Sequence, residues 1–181
     1  MAIFKTRWLL HDKYKFMKRI LFILILLLAY TIPAHAQKIP KSQYTVLEYG
    51  TKDALFAGRF PQGATATTLS DEEIACIEQI LQAGVIEENK RELTRFNELK
   101  RKMSDLKVDT IVFKKYKRQY IAAITSGGEK IIWVNCLCSD FKNDNWRKHI
   151  VKVRDGGNCF FNVMISLSKK TYYDLRINGW A

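Results

Sequence analysis

The chain has 181 residues, with 30 Lys and Arg against 18 Asp and Glu and a formal net charge of +12. Neither G-x-G-x-x-G nor G-x-x-x-x-G-K-[ST] occurs, so dinucleotide and P-loop nucleotide chemistry have no support in the sequence. The three histidines include no H-E-x-x-H pair, which excludes that class of zinc hydrolase.

Chain order begins with a leader. Lys18 and Arg19 precede an apolar run at 20–30, and Ala34-His35-Ala36 supplies a small-x-small site. This is the pattern of a secretory signal peptide, with cleavage expected between Ala36 and Gln37. The run is shorter than the roughly 20 apolar residues of a spanning helix, so no stable membrane span is expected after cleavage. Met17, followed by Lys-Arg, is an alternative start that would leave residues 1–16 untranslated; a long n-region is the other reading. Six of the 30 basic and one of the 18 acidic residues lie in 1–36, which leaves +7 on a single domain at 37–181. At that charge no nucleic-acid partner is expected. An exported protein, periplasmic or secreted, would use it for solubility or for attraction to an anionic envelope component.

Within 37–181, Tyr44-Thr-Val-Leu-Glu-Tyr49 predicts a short strand, and residues 58–68, with Pro61 and Gly63, predict a loop. Ser70-Asp-Glu-Glu73 opens the clearest helix. Ser70 can accept from the free N–H groups, Glu73 can reach back to it, and acids suit the positive end of the helix dipole. Ile74, Ile77, Ile80, Leu81 and Val85 recur at helical spacing and predict a buried face. The helix is expected to fade near Glu88, with a second, solvated helix around 91–102.

After Asp109, β-branched and aromatic residues predict strands at 111–113, 120–125 and 130–138. The apolar parity shifts through Lys114-Lys-Tyr-Lys-Arg118, which predicts a bulge or break. Ser126-Gly-Gly-Glu129 is a turn and 139–147 a polar loop. Val151 and Val153 mark a further strand, and Cys159, Phe161, Val163, Ile165 and Leu167 the apolar stripe of the next. Matching those stripes selects a three-residue loop, Asp155-Gly156-Gly157, which pairs Val153 with Cys159. A second three-residue loop, Ser168-Lys169-Lys170, aligns Tyr173, Leu175 and Ile177 with the buried stripe. The expected fold class is α+β: one main helix packed on a curved antiparallel β meander, in the order β-α-β-β-β-β.

The chemistry-bearing residues are few. His149 is the lone histidine of 37–181, and its strand parity with Val151 and Val153 predicts a packed imidazole rather than a catalytic one. Cys76, Cys136, Cys138 and Cys159 form an even set, compatible with a disulfide in an exported chain. Cys136 and Cys138 share one strand face and should not pair with each other. If a bridge exists, the candidate is Cys159 with Cys136 or Cys138, since all three favour the apolar stripes of sheet strands; buried free thiols are the competing reading. Cys-x-Cys lacks the Cys-x₂₋₄-Cys spacing of structural zinc knuckles, so no metal and no cofactor are expected. Lys114, Tyr116, Arg118 and Tyr120 share one strand face and are the candidate binding residues. A solvated, Lys-guarded strand is the plainer reading of the same residues.

Three stretches carry a resemblance: Gly128-Glu-Lys-Ile-Ile-Trp-Val-Asn-Cys136, Val153-Arg-Asp-Gly-Gly-Asn-Cys-Phe-Phe161, and Asn178-Gly179 before Ala181. With Tyr116-Lys-Arg-Gln-Tyr120, they resemble a family of small exported, uncharacterised proteins of the Bacteroidota. That resemblance implies export and names no reaction. The element order also resembles the cystatin-like architecture, in which a Q-x-V-x-G hairpin loop inhibits cysteine proteases. The nearest stretch here, Gln119-Tyr-Ile-Ala-Ala123, has Ala in place of Gly and falls inside a predicted strand. The function expected is a non-enzymatic exported binding or structural module. The alternatives are a Cys/His-dependent hydrolase or thiol enzyme, and a protease-inhibitor-like protein.

Overall fold

The computed structural model describes residues 18, 39–50, 58–101 and 108–179. The chain divides into two units, Met1–His35 and Ala36–Ala181. The expected cleavage point lies outside the described residues.

A 30-residue helix, α1 (Asp71–Lys100), packs on one face of a mixed, mostly antiparallel sheet. The strands are β1 (Tyr44–Leu47), β2 (Thr65–Ala66), β3 (Tyr116–Ile124), β4 (Lys130–Cys138), β5 (Phe160–Ser166) and β6 (Thr171–Ile177), in the spatial order β1-β3-β4-β5-β6. β2 pairs antiparallel with β3 at Thr65↔Ile124 and Ala66↔Ala123. β1 departs from the expected meander. It runs parallel to β3, with Tyr44 opposite Arg118 and Leu47 opposite Ile121. α1 lies between the two strands in the chain, and a connection of that length permits the parallel pairing that a tight turn would forbid.

The helix start forms as its residues dictate. Ser70 Oγ accepts from the Glu73 N–H and a Glu73 carboxylate oxygen accepts from the Ser70 N–H, closing a capping box. Ile74, Ile77, Ile80, Leu81 and Val85 are all buried against the sheet. The helix does not fade at Glu88. Residues 87–100 contain no Gly or Pro, ion pairs Glu88–Arg91 and Glu92–Arg95 span successive turns, and α1 runs unbroken to Lys100. Asn89 exchanges two hydrogen bonds with the backbone of Ile111, which anchors the returning chain to the helix. Residues 111–113 are therefore not a strand; Phe113–Lys115 forms a 3₁₀ turn, and β3 begins directly after it.

The sheet is covered on both faces. Tyr116, Tyr120 and Ala122 of β3, Ile132, Val134 and Cys136 of β4, and Phe161, Val163 and Ile165 of β5 meet α1. The alternate residues, among them Ile121, Trp133, Leu137 and Met164, face loops 58–64 and 139–159. Among the described residues, no helix is long and apolar enough to cross a membrane.

The Gly-Gly hairpin is not formed. Val151 and Val153 lie in irregular chain, and the antiparallel partner of β5 on that side is β4, with Cys136 opposite Phe161. The 151–153 backbone is instead held by side chains: Gln119 Oε1 accepts from the Val151 N–H, Asn135 Nδ2 donates to the Val151 carbonyl, and Asn178 Nδ2 donates to that of Val153. Gly156 (φ 89°) and Gly157 (φ 55°) are both left-handed and turn the chain into a short 3₁₀ segment, Gly157–Cys159. The next turn is one residue longer than expected, with Ser166 opposite Thr171. A bulge at Asp174 (φ 52°) absorbs the offset and returns Phe161 opposite Ile177, as the apolar stripes require. Tyr172 in consequence takes the place of Tyr173 on the core, Leu175 packs there as expected, and Ile177 is exposed.

Candidate functional site

The site grows from one charge placed on the buried face of α1. Glu78 follows Ile74 by one helical turn and lies under the helix among Ile77 and Leu81, only 7% exposed. Its partner comes from β3. Arg118, 2% exposed, places Nε 3.2 Å from Glu78 Oε1, and Tyr120, fully buried, donates its hydroxyl hydrogen to the same oxygen. Arg118 also donates to the carbonyls of Tyr116 and, at 3.0 Å, of Phe113. Its guanidinium lies 4.5 Å from the centre of the Phe113 ring. The Nε–H is not aligned with the carboxylate and has no hydrogen-bond partner, so this contact is an ion pair alone.

Burial pushes the Glu78 carboxyl above the usual range, against the opposing pull of Arg118 and the Tyr120 hydroxyl. Burial, reinforced by the Glu78 charge, likewise holds the Tyr120 phenol well above its ordinary value. Tyr116, on the same face, is pushed up to about 12, chiefly by burial, and gives its hydroxyl hydrogen to the Asn158 carbonyl.

Glu78 and Arg118 form part of the wall of a half-open cleft of about 240 Å³ between α1, the 39–43 segment and the 3₁₀ turn before β3. Ile39, Pro40 and Phe113 give it an apolar side; Gln43, Gln79 and Gln82 offer carboxamides, and Lys114 stands at the exposed rim. A partly apolar concavity with a few convergent polar groups is the usual form of a small-ligand site.

Sequence parity put Lys114, Tyr116, Arg118 and Tyr120 on one accessible face. The structure corrects the accessibility. The face is the one that α1 covers, so Tyr116, Arg118 and Tyr120 are buried and only Lys114 is exposed. Lys114 and Arg118 nevertheless meet at the cleft, while the two tyrosines stand behind it as structural partners. Glu78 escaped the sequence reading although a signal existed: an acid at the buried spacing of an apolar helix face implies a buried cation opposite it.

His149 is also corrected. It is exposed, in the polar loop before Val151 rather than on a strand, and its carbonyl accepts from Gln119 Nε2 at 2.7 Å. Cys138 and Cys159, one of the two pairings left open, are joined in a disulfide with Cα atoms 4.9 Å apart. Cys76 and Cys136 are free. Burial drives the Cys136 thiol far up, away from the reactive thiolate form. Gln119 is fully buried inside β3, so the Gln119–Ala123 stretch is not a hairpin tip.

Compared with known protein families, with curated proteins and with solved structures, the chain matches none.

Proposed function

We propose that the protein is an exported, non-enzymatic binding module, and that the cleft between α1 and the Phe113–Lys115 turn is where it binds. The observation that carries this reading is the buried Glu78–Arg118 pair in the wall of the cleft. As a source of stability such a pair is poor, because an apolar pair of similar volume commonly does as well or better. Charge retained beneath an open concavity is more readily understood as recognition, with Lys114 adding a cation at the rim. The signal-like leader supports export to the periplasm or medium.

The thiol-enzyme alternative finds little support. Its candidate nucleophiles are a bridged pair, a fully buried thiol and a half-buried helix cysteine, whereas a working thiolate needs an accessible, electropositive setting. For the inhibitor alternative, the nearest motif stretch, Gln119–Ala123, is buried inside β3 rather than presented on a loop. A test is affinity capture from envelope and culture fractions by the wild type, Lys114→Glu and His149→Gln. The binding reading expects Lys114→Glu to weaken the specific capture and His149→Gln to leave it intact. A turnover abolished by His149→Gln in a folded protein would replace it with the enzyme reading.

A further inference from the structure

Independently of the cleft, we propose that Cys138, Cys159 and Asp140 form a redox-gated site for a borderline-soft divalent cation of the zinc class. The two sulfurs and an Asp140 carboxylate oxygen all lie within 4.8 Å of one another. Two thiolates and a carboxylate make a donor set suited to zinc, which is commonly held by three protein ligands with a fourth position left to water. In the disulfide form the sulfur electrons are committed to each other and the site is closed.

What makes the site more than two neighbouring cysteines is that its frame does not depend on the S–S bond. Cys138 ends β4 opposite Tyr116, and the next residues are fixed by Ser139 N–H to Lys115 O (2.8 Å) and Phe141 N–H to Cys138 O (3.1 Å). On the other side Cys159 N–H donates to Gly156 O (3.2 Å), and the Asn158 carbonyl accepts from the Tyr116 hydroxyl (2.6 Å). The loop between is clipped to the sheet by Gln119 and Asn135. Breaking the bridge therefore leaves both sulfurs close to Asp140. Asp140 is exposed and lines an open surface depression, and Cys138 and Cys159 beside it are half-buried. Lys117, Lys142 and Arg147 line the same depression. Asp140 and Asp144 oppose that charge. Cys136, two residues away, points into the core and is not a member.

The opening step needs a reductant of the dithiol class. Its two thiols surrender two electrons and two protons and become a disulfide; the Cys138–Cys159 bond breaks and two thiols form. Binding then releases those two protons to solvent as the cation takes both sulfurs and an Asp140 oxygen.

The test is a Co(II) titration of the intact protein, before and after reduction with a phosphine. The proposal expects no thiolate-to-cobalt absorption before reduction and one Co(II) per chain after it. Asp140→Asn should weaken binding by about tenfold or more, the order expected when a supporting ligand is lost, and Cys76→Ser should leave it unchanged. No uptake by the reduced protein, identical affinity in Asp140→Asn, or loss of the band in Cys76→Ser would each overturn the site. A readout without mutation guards against misfolded variants: Zn(II) should raise the Tm of the reduced protein and not of the oxidised one. A rise in both forms, or in neither, would overturn it as well.

Discussion

At the scale of single residues, three polar side chains decide more than their number suggests. Gln119 is fully buried, and its amide serves the carbonyls of Trp146 and His149, the Val151 N–H and the Asn135 side chain. It does for a loop what a neighbouring strand would do for a ladder. Arg118 and Glu78 are the second case. Arg118→Met leaves the Glu78 carboxylate buried without its cation and is expected to cost about 3 kcal/mol in urea unfolding, whereas Glu78→Leu/Arg118→Met together should recover most of it. A double variant as unstable as the single one would mean that the pair is itself a stabilising element. The pH dependence has a definite sign. Because burial raises the Glu78 pKa, its contribution is complete below the ordinary carboxylate value of about 4.3 and is lost as pH rises through the raised one. Glu73 and Glu129 act oppositely. Glu73 is held down by the Lys130 and Ser70 hydrogen bonds, despite burial, and Glu129 by its Ser166 and Lys169 hydrogen bonds, so their contributions are lost as pH falls. Both are shared with Glu78→Gln, so the stability difference, wild type minus variant, should decline as pH rises above about 4.3. A flat difference curve would contradict the raised pKa.

At the scale of elements, the capping box and the apolar spacing of α1 were legible because both are local: a few residues specify each. The length of α1 was not. Its second half has few apolar anchors, and the absence of any breaker, together with the Asn89–Ile111 clamp, carries it on to Lys100. The Gly156-Gly157 stretch shows a different limit. Parity alone allowed Val151 and Val153 to serve as a strand, but β4 already pairs with β5 along seven residues, and a partner three positions wide cannot displace it. The Cys138–Cys159 bridge closes the loop thus left over, with 21 residues of separation. A closure of that length contributes about 3 kcal/mol in the chain-entropy view. Reduction should therefore lower stability by up to about that amount, and hydrogen exchange should locate the change. Amides at 140–150 should lose no more protection than those of β3 and β4, because the Gln119–Asn135 clip still holds the loop. A loss concentrated at 140–150 would show that the bridge, and not the Gln119–Asn135 clip, holds the loop.

At the scale of the whole molecule, the α+β class and a helix on a mainly antiparallel sheet followed from sequence periodicity, whereas the parallel placing of β1 beside β3 did not. Strand pairing between distant segments is a tertiary choice, and nothing within residues 44–47 encodes their partner. The candidate site was half legible for the same reason. Parity gathered Lys114 and Arg118, but whether that face met water or a helix depended on where α1 docked, and that docking converts an exposed basic stripe into a cleft with a buried pair in its wall. The account rests on that cleft being the functional surface. Ala75 lines it from α1 without joining the Glu78–Arg118–Tyr120 contacts, so Ala75→Trp fills the space and leaves the charges in place. The most direct measurement is affinity capture from envelope and culture fractions with wild type and Ala75→Trp side by side, after circular dichroism has shown both folded. The account predicts that what the wild type retains specifically is lost from Ala75→Trp. Equal retention by the two proteins would contradict it and move the binding surface away from the cleft.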